Sequence, residues 1–200
     1  MSTEIRLSGL TAILAAGIWM LTEIMEIVSG GFSPVQLSLT LIAFVILPFG
    51  VLGFHAAQAS KGGWMSLIGA VCFAGAFILW SGVTMLDVVL KTKTEMEIIG
   101  GGDIEKIIFW IASVLTVVGS TVFGIAALRV DVFPRWTGIA LILAAVFFLV
   151  LSLFQVPMVV WNIINVVTCV ALIRMGWVLW LRPVESTAAS GALGFRRSPG

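Results

Sequence analysis

The stretch LSGLTAILAAGIWMLTEIMEIV, residues 7–28, decides how this chain must be read. A helix needs about 20 mostly apolar residues to cross the hydrocarbon of a bilayer. This run has that length and yet carries two carboxylates, Glu23 and Glu26. It is too long for the apolar part of a signal peptide, and no convincing small-residue cleavage site follows it. It is therefore expected to be retained as a first helix. Five further runs are of the same kind, giving expected helices over 7–28, 35–59, 63–90, 104–128, 135–156 and 158–181. The expected fold is all-α: a six-transmembrane-helix bundle with cytoplasmic N- and C-termini. Residues 1–182 would form the membrane domain, and 183–200, rich in Ser, Gly and Ala, a disordered cytoplasmic tail.

Composition agrees. Apolar residues make up 60% of the 200, charged residues only 10%, and the mean hydropathy is +1.16, far outside the soluble range. The partner expected first is the lipid bilayer. A net charge of +1 offers no basic face for a phosphate backbone, so nucleic acid is excluded as a partner. Two cysteines, Cys72 and Cys169, lie inside apolar runs, and His55 is the single histidine. No metal site, bis-histidine haem site or other cofactor is expected from such a set.

The separators between runs carry start and stop signals. In SGGFSP, Ser33 stands as N-cap, Pro34 at N1 and Gln36 at N3, a capping-box arrangement. SKGG turns the second helix into the third. The one long polar loop, KTKTEMEIIGGGD, ends with Asp103 as N-cap and Glu105 in the first turn. FQVP breaks the chain before the last helix. With the N-terminus inside, the inner segments hold Arg6, Lys61, Arg129, Arg135, Arg182, Arg196 and Arg197. The outer segments hold Lys91, Lys93 and Lys106, which favours that orientation. Residues 51–78 and 122–149 share a Gly, an Ala pair, a polar turn and a Trp before a long apolar helix, which hints at a parallel duplication.

The turn ALRVDVFPRWTG, through Leu128, Arg129, Pro134, Arg135, Trp136 and Gly138, resembles the basic turns of bacterial multi-helix membrane proteins known only as domains of unknown function. The resemblance implies a multi-pass protein of the bacterial plasma membrane and transfers no activity.

Chemistry is confined to a few faces. Ala12, Ala16, Trp19, Glu23 and Glu26 follow the spacing 4, 3, 4, 3, which places them on one side of the first helix. Phe73, Ala76, Trp80, Thr84 and Asp87 echo that pattern on the third. Trp110, Ser113, Val117 and Ser120 form a stripe on the fourth. Ser152 and Gln155 mark the fifth, and Trp161, Asn162 and Asn165 the sixth. Nearly all lie in the expected outer half. The candidate ligand-binding set is therefore Trp19, Glu23, Glu26, Trp80, Thr84, Asp87, Trp110, Gln155, Trp161, Asn162 and Asn165. Tryptophan faces and carboxylates both favour positive charge. Depth counting gives a plainer alternative: at 1.5 Å per residue Glu26 lies roughly 30 Å from Arg6. That is the outer rim, where a solvated carboxylate costs little and an aromatic belt places tryptophans anyway. Trp64, Trp136, Trp177 and Trp180 read as inner-interface anchors, and His55 as an interfacial histidine.

Three function classes fit this pattern, in the following order. The first is binding or transport of a small cationic or amphipathic molecule in an outward-facing pocket. The second is a non-catalytic subunit whose polar stripes pack against another membrane protein, or against further copies of this chain. The third is a membrane enzyme acting on a lipid or isoprenoid through an acid and Trp rings.

Overall fold

The computed structural model describes residues 3–90, 103–152, 154 and 156–181. Those residues form five helices and no strand: α1 (Thr3–Ser29), α2 (Pro34–Leu90), α3 (Asp103–Arg129), α4 (Arg135–Leu151) and α5 (Met158–Leu181). Four of them, all but α4, are long and apolar enough to cross a membrane. The expected polar loop, the capping side chains of Asp103 and Glu105, Gln155 and the tail lie outside the described residues.

α2 is two helices joined at one residue. Gly63, at φ 50° and ψ −148°, is its single non-helical position and a conformation only glycine adopts readily. The chain reverses there. Phe44 and Phe77, on either side of it, bring their ring centres to 5.7 Å, and the Ser66 hydroxyl lies 2.9 Å from His55 Nδ1 and 2.7 Å from Gln58 Nε2. His55 is thus half-buried and tied across the hairpin. The two arms, residues 34–62 and 64–90, run antiparallel, so the SKGG turn is tighter than expected.

The helices close into a ring. α1 packs on the first arm of α2 and on α5, the second arm packs on α3, α3 on α4, and α4 on α5. Small residues allow these approaches: Gly50 lies against Ala12, Gly69 against the Phe123 backbone, and Gly9 and Gly176 face each other backbone to backbone. At the Gly63 end, Phe54 and Phe123 stack and Phe133, from the α3–α4 turn, meets Phe54 edge-on. There too the Arg6 guanidinium lies 5.2 Å from the centre of the Trp180 ring, while Trp64, Trp136 and Trp177 are exposed.

The surface is inverted relative to a soluble protein. Leu14, Phe49, Val114 and Phe147 face outward, whereas Gln36, Gln58, Glu23, Glu26 and Asn162 are buried. Apolar exteriors of this kind require lipid as solvent.

Helix ends differ from expectation in places: α1 begins at Thr3, not at residue 7. α4 stops at Leu151 instead of running to 156. Ser152 folds its N–H and hydroxyl back onto Phe148 O, and Val156 precedes Pro157, a position that disfavours helix. At the start of α2 half of the capping box forms: the Gln36 N–H donates to Ser33 Oγ at 3.2 Å, but the Gln36 side chain turns elsewhere.

Candidate functional site

At the end of the ring opposite Gly63 the helices enclose a cavity of about 470 Å³. It runs from the α1–α2 turn, marked by Phe32, down to Phe73, Ser120 and Thr168 near mid-bundle. Every helix contributes to its wall.

Glu23 is its polar centre. The 4-residue spacing of α1 brings the Trp19 indole N–H to Glu23 Oε1 at 2.6 Å, and Asn165 Nδ2 of α5 donates to the same oxygen at 3.1 Å. Asn162, with its amide turned so that nitrogen faces the surrounding acceptors, donates to Glu23 Oε2 and to the Met158 carbonyl, both at 3.2 Å. The carboxylate is only 7% exposed, and three side-chain donors from two helices converge on it. A buried carboxylate is costly unless hydrogen-bonded, and this one is. Glu26, also 7% exposed, accepts from Gln36 Nε2 at 3.2 Å across the α1–α2 turn.

These burials correct the depth argument. Both glutamates stand near the rim by height, yet they turn into the bundle and are covered by α2 and α5 instead of solvent. Trp19 likewise is core, held edge-on by Phe44 and Phe77 at 5.2 and 5.6 Å, and is no belt residue. Asp87 is half-buried at the cavity margin.

Trp19, Glu23, Glu26, Trp80, Thr84, Asp87, Trp110, Trp161, Asn162 and Asn165 all line this one cavity. The face read on α3 is rotated from the expected one. Phe109, Thr116 and Ser120 line the cavity, whereas Ser113 and Val117 do not. Thr116 matters because it accepts the Trp80 N–H at 2.9 Å, fixing that indole across the α2–α3 seam. Trp110 lines the mouth while remaining 54% exposed.

Gln36 and Thr116 were missed by sequence reasoning. Gln36 lies two residues past the SGGFSP turn and Glu26 three before it, so their similar height was a usable signal. Thr116 had none, because a threonine one residue from an apolar stripe is ordinary in a membrane helix.

The lining has an asymmetric hydrogen-bonding character. The hydroxyls of Thr22, Thr40, Thr84, Thr116, Ser120, Ser152 and Thr168 all donate to carbonyls of their own helices three or four residues back. The Trp19 and Trp80 N–H groups are engaged as well. What these groups turn toward the cavity is acceptor capacity and aromatic surface. The charged side chains among the described lining residues are all acidic. Even so, no three His, Cys, Asp or Glu side chains among the described residues cluster closely enough to hold a metal ion.

Comparison with family models, curated proteins and solved structures finds no match to this chain.

Proposed function

We propose that this is a six-span protein of a bacterial plasma membrane that binds, and moves across or within that membrane, a small molecule carrying positive charge. The observation that carries the reading is the convergence of Glu23, Glu26 and Asp87 with Trp19, Trp80 and Trp161 on one cavity of ligand size. Carboxylates attract a cation by Coulomb interaction and indole faces by their quadrupole, and both act more strongly where water is sparse. A lining whose hydroxyls are turned away as donors disfavours anions and suits ligands that donate hydrogen bonds or carry charge without acceptors.

In this reading the arms of α2 are two crossings, and α4, at roughly 25 Å by its rise, is the shortest. The excess of Lys and Arg on the Gly63 side supports a cytoplasmic position for that end and both termini, an orientation in which the cavity opens outward. The subunit reading is weaker because Glu23, Glu26 and Asn162 turn into the ring, leaving an apolar exterior for a partner.

The test is ligand-induced stabilisation. Purified protein in lipid nanodiscs is heated with tetramethylammonium and with alkylammonium ions. Binding to the folded state alone raises stability by about 2.7 kcal/mol at a hundredfold excess over Kd. Glu23→Gln should abolish the shift. A shift that persists undiminished in Glu23→Gln, or that is equal for an organic anion, would overturn the reading.

A further inference from the structure

We infer that the ligand is an amphiphile, with an ammonium head at Glu23 and a hydrocarbon tail along the α3–α4 wall; this rests on the cation-binding reading above. The cavity is polarised. Its carboxylates and amides come from α1, α2 and α5, whereas α4 contributes Ala144, Ala145, Phe148 and Leu151. On α3 the facing hydroxyls of Thr116 and Ser120 donate to their own backbone, so this side offers no hydroxyl donor to a polar ligand.

Volume argues in the same direction. At about 30 Å³ per heavy atom, the share of a water in the liquid, the four heavy atoms of a trimethylammonium head fill roughly a quarter of the cavity. The remaining space, roughly twelve carbons' worth on the same scale, borders alanine, phenylalanine and leucine. Water there would face apolar walls, and a hydrocarbon chain that displaced it would bury apolar surface on both sides. Ala144 and Ala145 make the room: both are buried and both line the cavity. At the mouth, Trp110 and Phe154 line the cavity and are also exposed on the bundle's apolar exterior, which gives a chain a route to the bilayer.

The experiment uses full-length protein in nanodiscs and a series of trimethylammonium ions bearing methyl, hexyl, octyl and decyl groups. Longer chains concentrate in any bilayer, so the readout is the ratio of Kd between variant and wild type at each length, with binding to empty nanodiscs subtracted. Ala145→Leu puts a branched side chain where the tail would lie. It should weaken decyl binding by about tenfold, the equivalent of 1.4 kcal/mol, and leave tetramethylammonium within about twofold. Ala144→Leu serves as a second variant should the first fail to fold, as judged by tryptophan emission. Glu23→Gln should weaken every member of the series. If neither alanine variant discriminates by chain length while Glu23→Gln still weakens binding, the tail assignment is wrong and the cation site stands. If Glu23→Gln changes nothing, both fall.

Discussion

Trp19 and Glu23 sit one helical turn apart, and the indole N–H of the first meets the carboxylate of the second at 2.6 Å. The ring packs edge-on against the adjacent rings of Phe44 and Phe77, one from each arm of α2. Packing of α1 on both arms of α2 therefore aims the acid into the cavity.

Trp19→Phe retains an aromatic ring in that slot and deletes the donor. A hydrogen bond to a charged acceptor contributes about 1.5–3 kcal/mol, with the two asparagines left to take up part of the loss. Reversible unfolding of Trp19→Phe should show a destabilisation of about 2 kcal/mol on that scale, together with weaker ammonium binding. Unchanged stability and unchanged binding would mean that the asparagines alone position Glu23.

The α1–α5 seam makes a sharper steric prediction. A Cβ added at Gly176 would stand 2.6 Å from the Gly9 carbonyl oxygen, a backbone atom that cannot rotate aside. Gly176→Ala must push the helices apart, at a cost of about 1–3 kcal/mol. Gly17, with nothing within 4 Å of the same added atom, is the control. Gly17→Ala should stabilise by up to about 1 kcal/mol through helix propensity. Opposite signs for the same substitution, at the seam on α5 and away from it on α1, are expected in thermal unfolding. Equal signs would show that the seam has slack.

The stripe Trp19, Glu23 and Glu26 was legible because helical spacing alone puts those positions on one side. Its surroundings were not, since height along a helix says nothing about which neighbour covers a side chain. The rim argument therefore mistook buried acids for solvated ones. Gln36 shows the same limit: its position at N3 licensed a local cap, yet the side chain reaches Glu26 on another helix. The α3 face was misjudged at Ser113 and Val117, because Ser113 satisfies its hydroxyl on its own backbone and needs no partner to face, whereas Trp110 and Ser120 do line the cavity. Conversely, the short α4 had a readable cause in Pro157, which was taken as a boundary one turn too late.

Gly63 separates strain from clash. No atom lies within 4 Å of a Cβ built there, so the cost of Gly63→Ala is conformational, about 1–3 kcal/mol for a non-glycine residue forced to φ 50° and ψ −148°. Gly63→Asn should be no milder, because asparagine tolerates the left-handed helical region and this ψ lies outside it. Gly62→Ala acts differently, since its Cβ would meet Ser66 Cβ at 2.7 Å and disturb the tie to His55 and Gln58. Unfolding midpoints that fall for Gly63→Ala but recover in Gly63→Asn would overturn the backbone argument.

Asn162 and Asn165 donate to different oxygens of Glu23 and differ in burial, which makes their contributions separable. Asn162 is buried and spans two acceptors, the carboxylate and the Met158 carbonyl. Asn165 is half-buried and reaches Oε1 alongside the shorter bond from Trp19. Interhelical hydrogen bonds in membrane proteins average about 0.6 kcal/mol and reach about 1.7. Double-mutant cycles of each asparagine to Ala with Glu23→Ala should place the Asn162 coupling toward the upper value and that of Asn165 near the average or below it. Solvent substitutes for a lost donor more readily at the half-buried site, so the order follows from access rather than bond length. A larger coupling for Asn165 would mean that Oε1, not Oε2, is the oxygen shielded from the cavity, and the ammonium head would then sit on the opposite edge of the carboxylate.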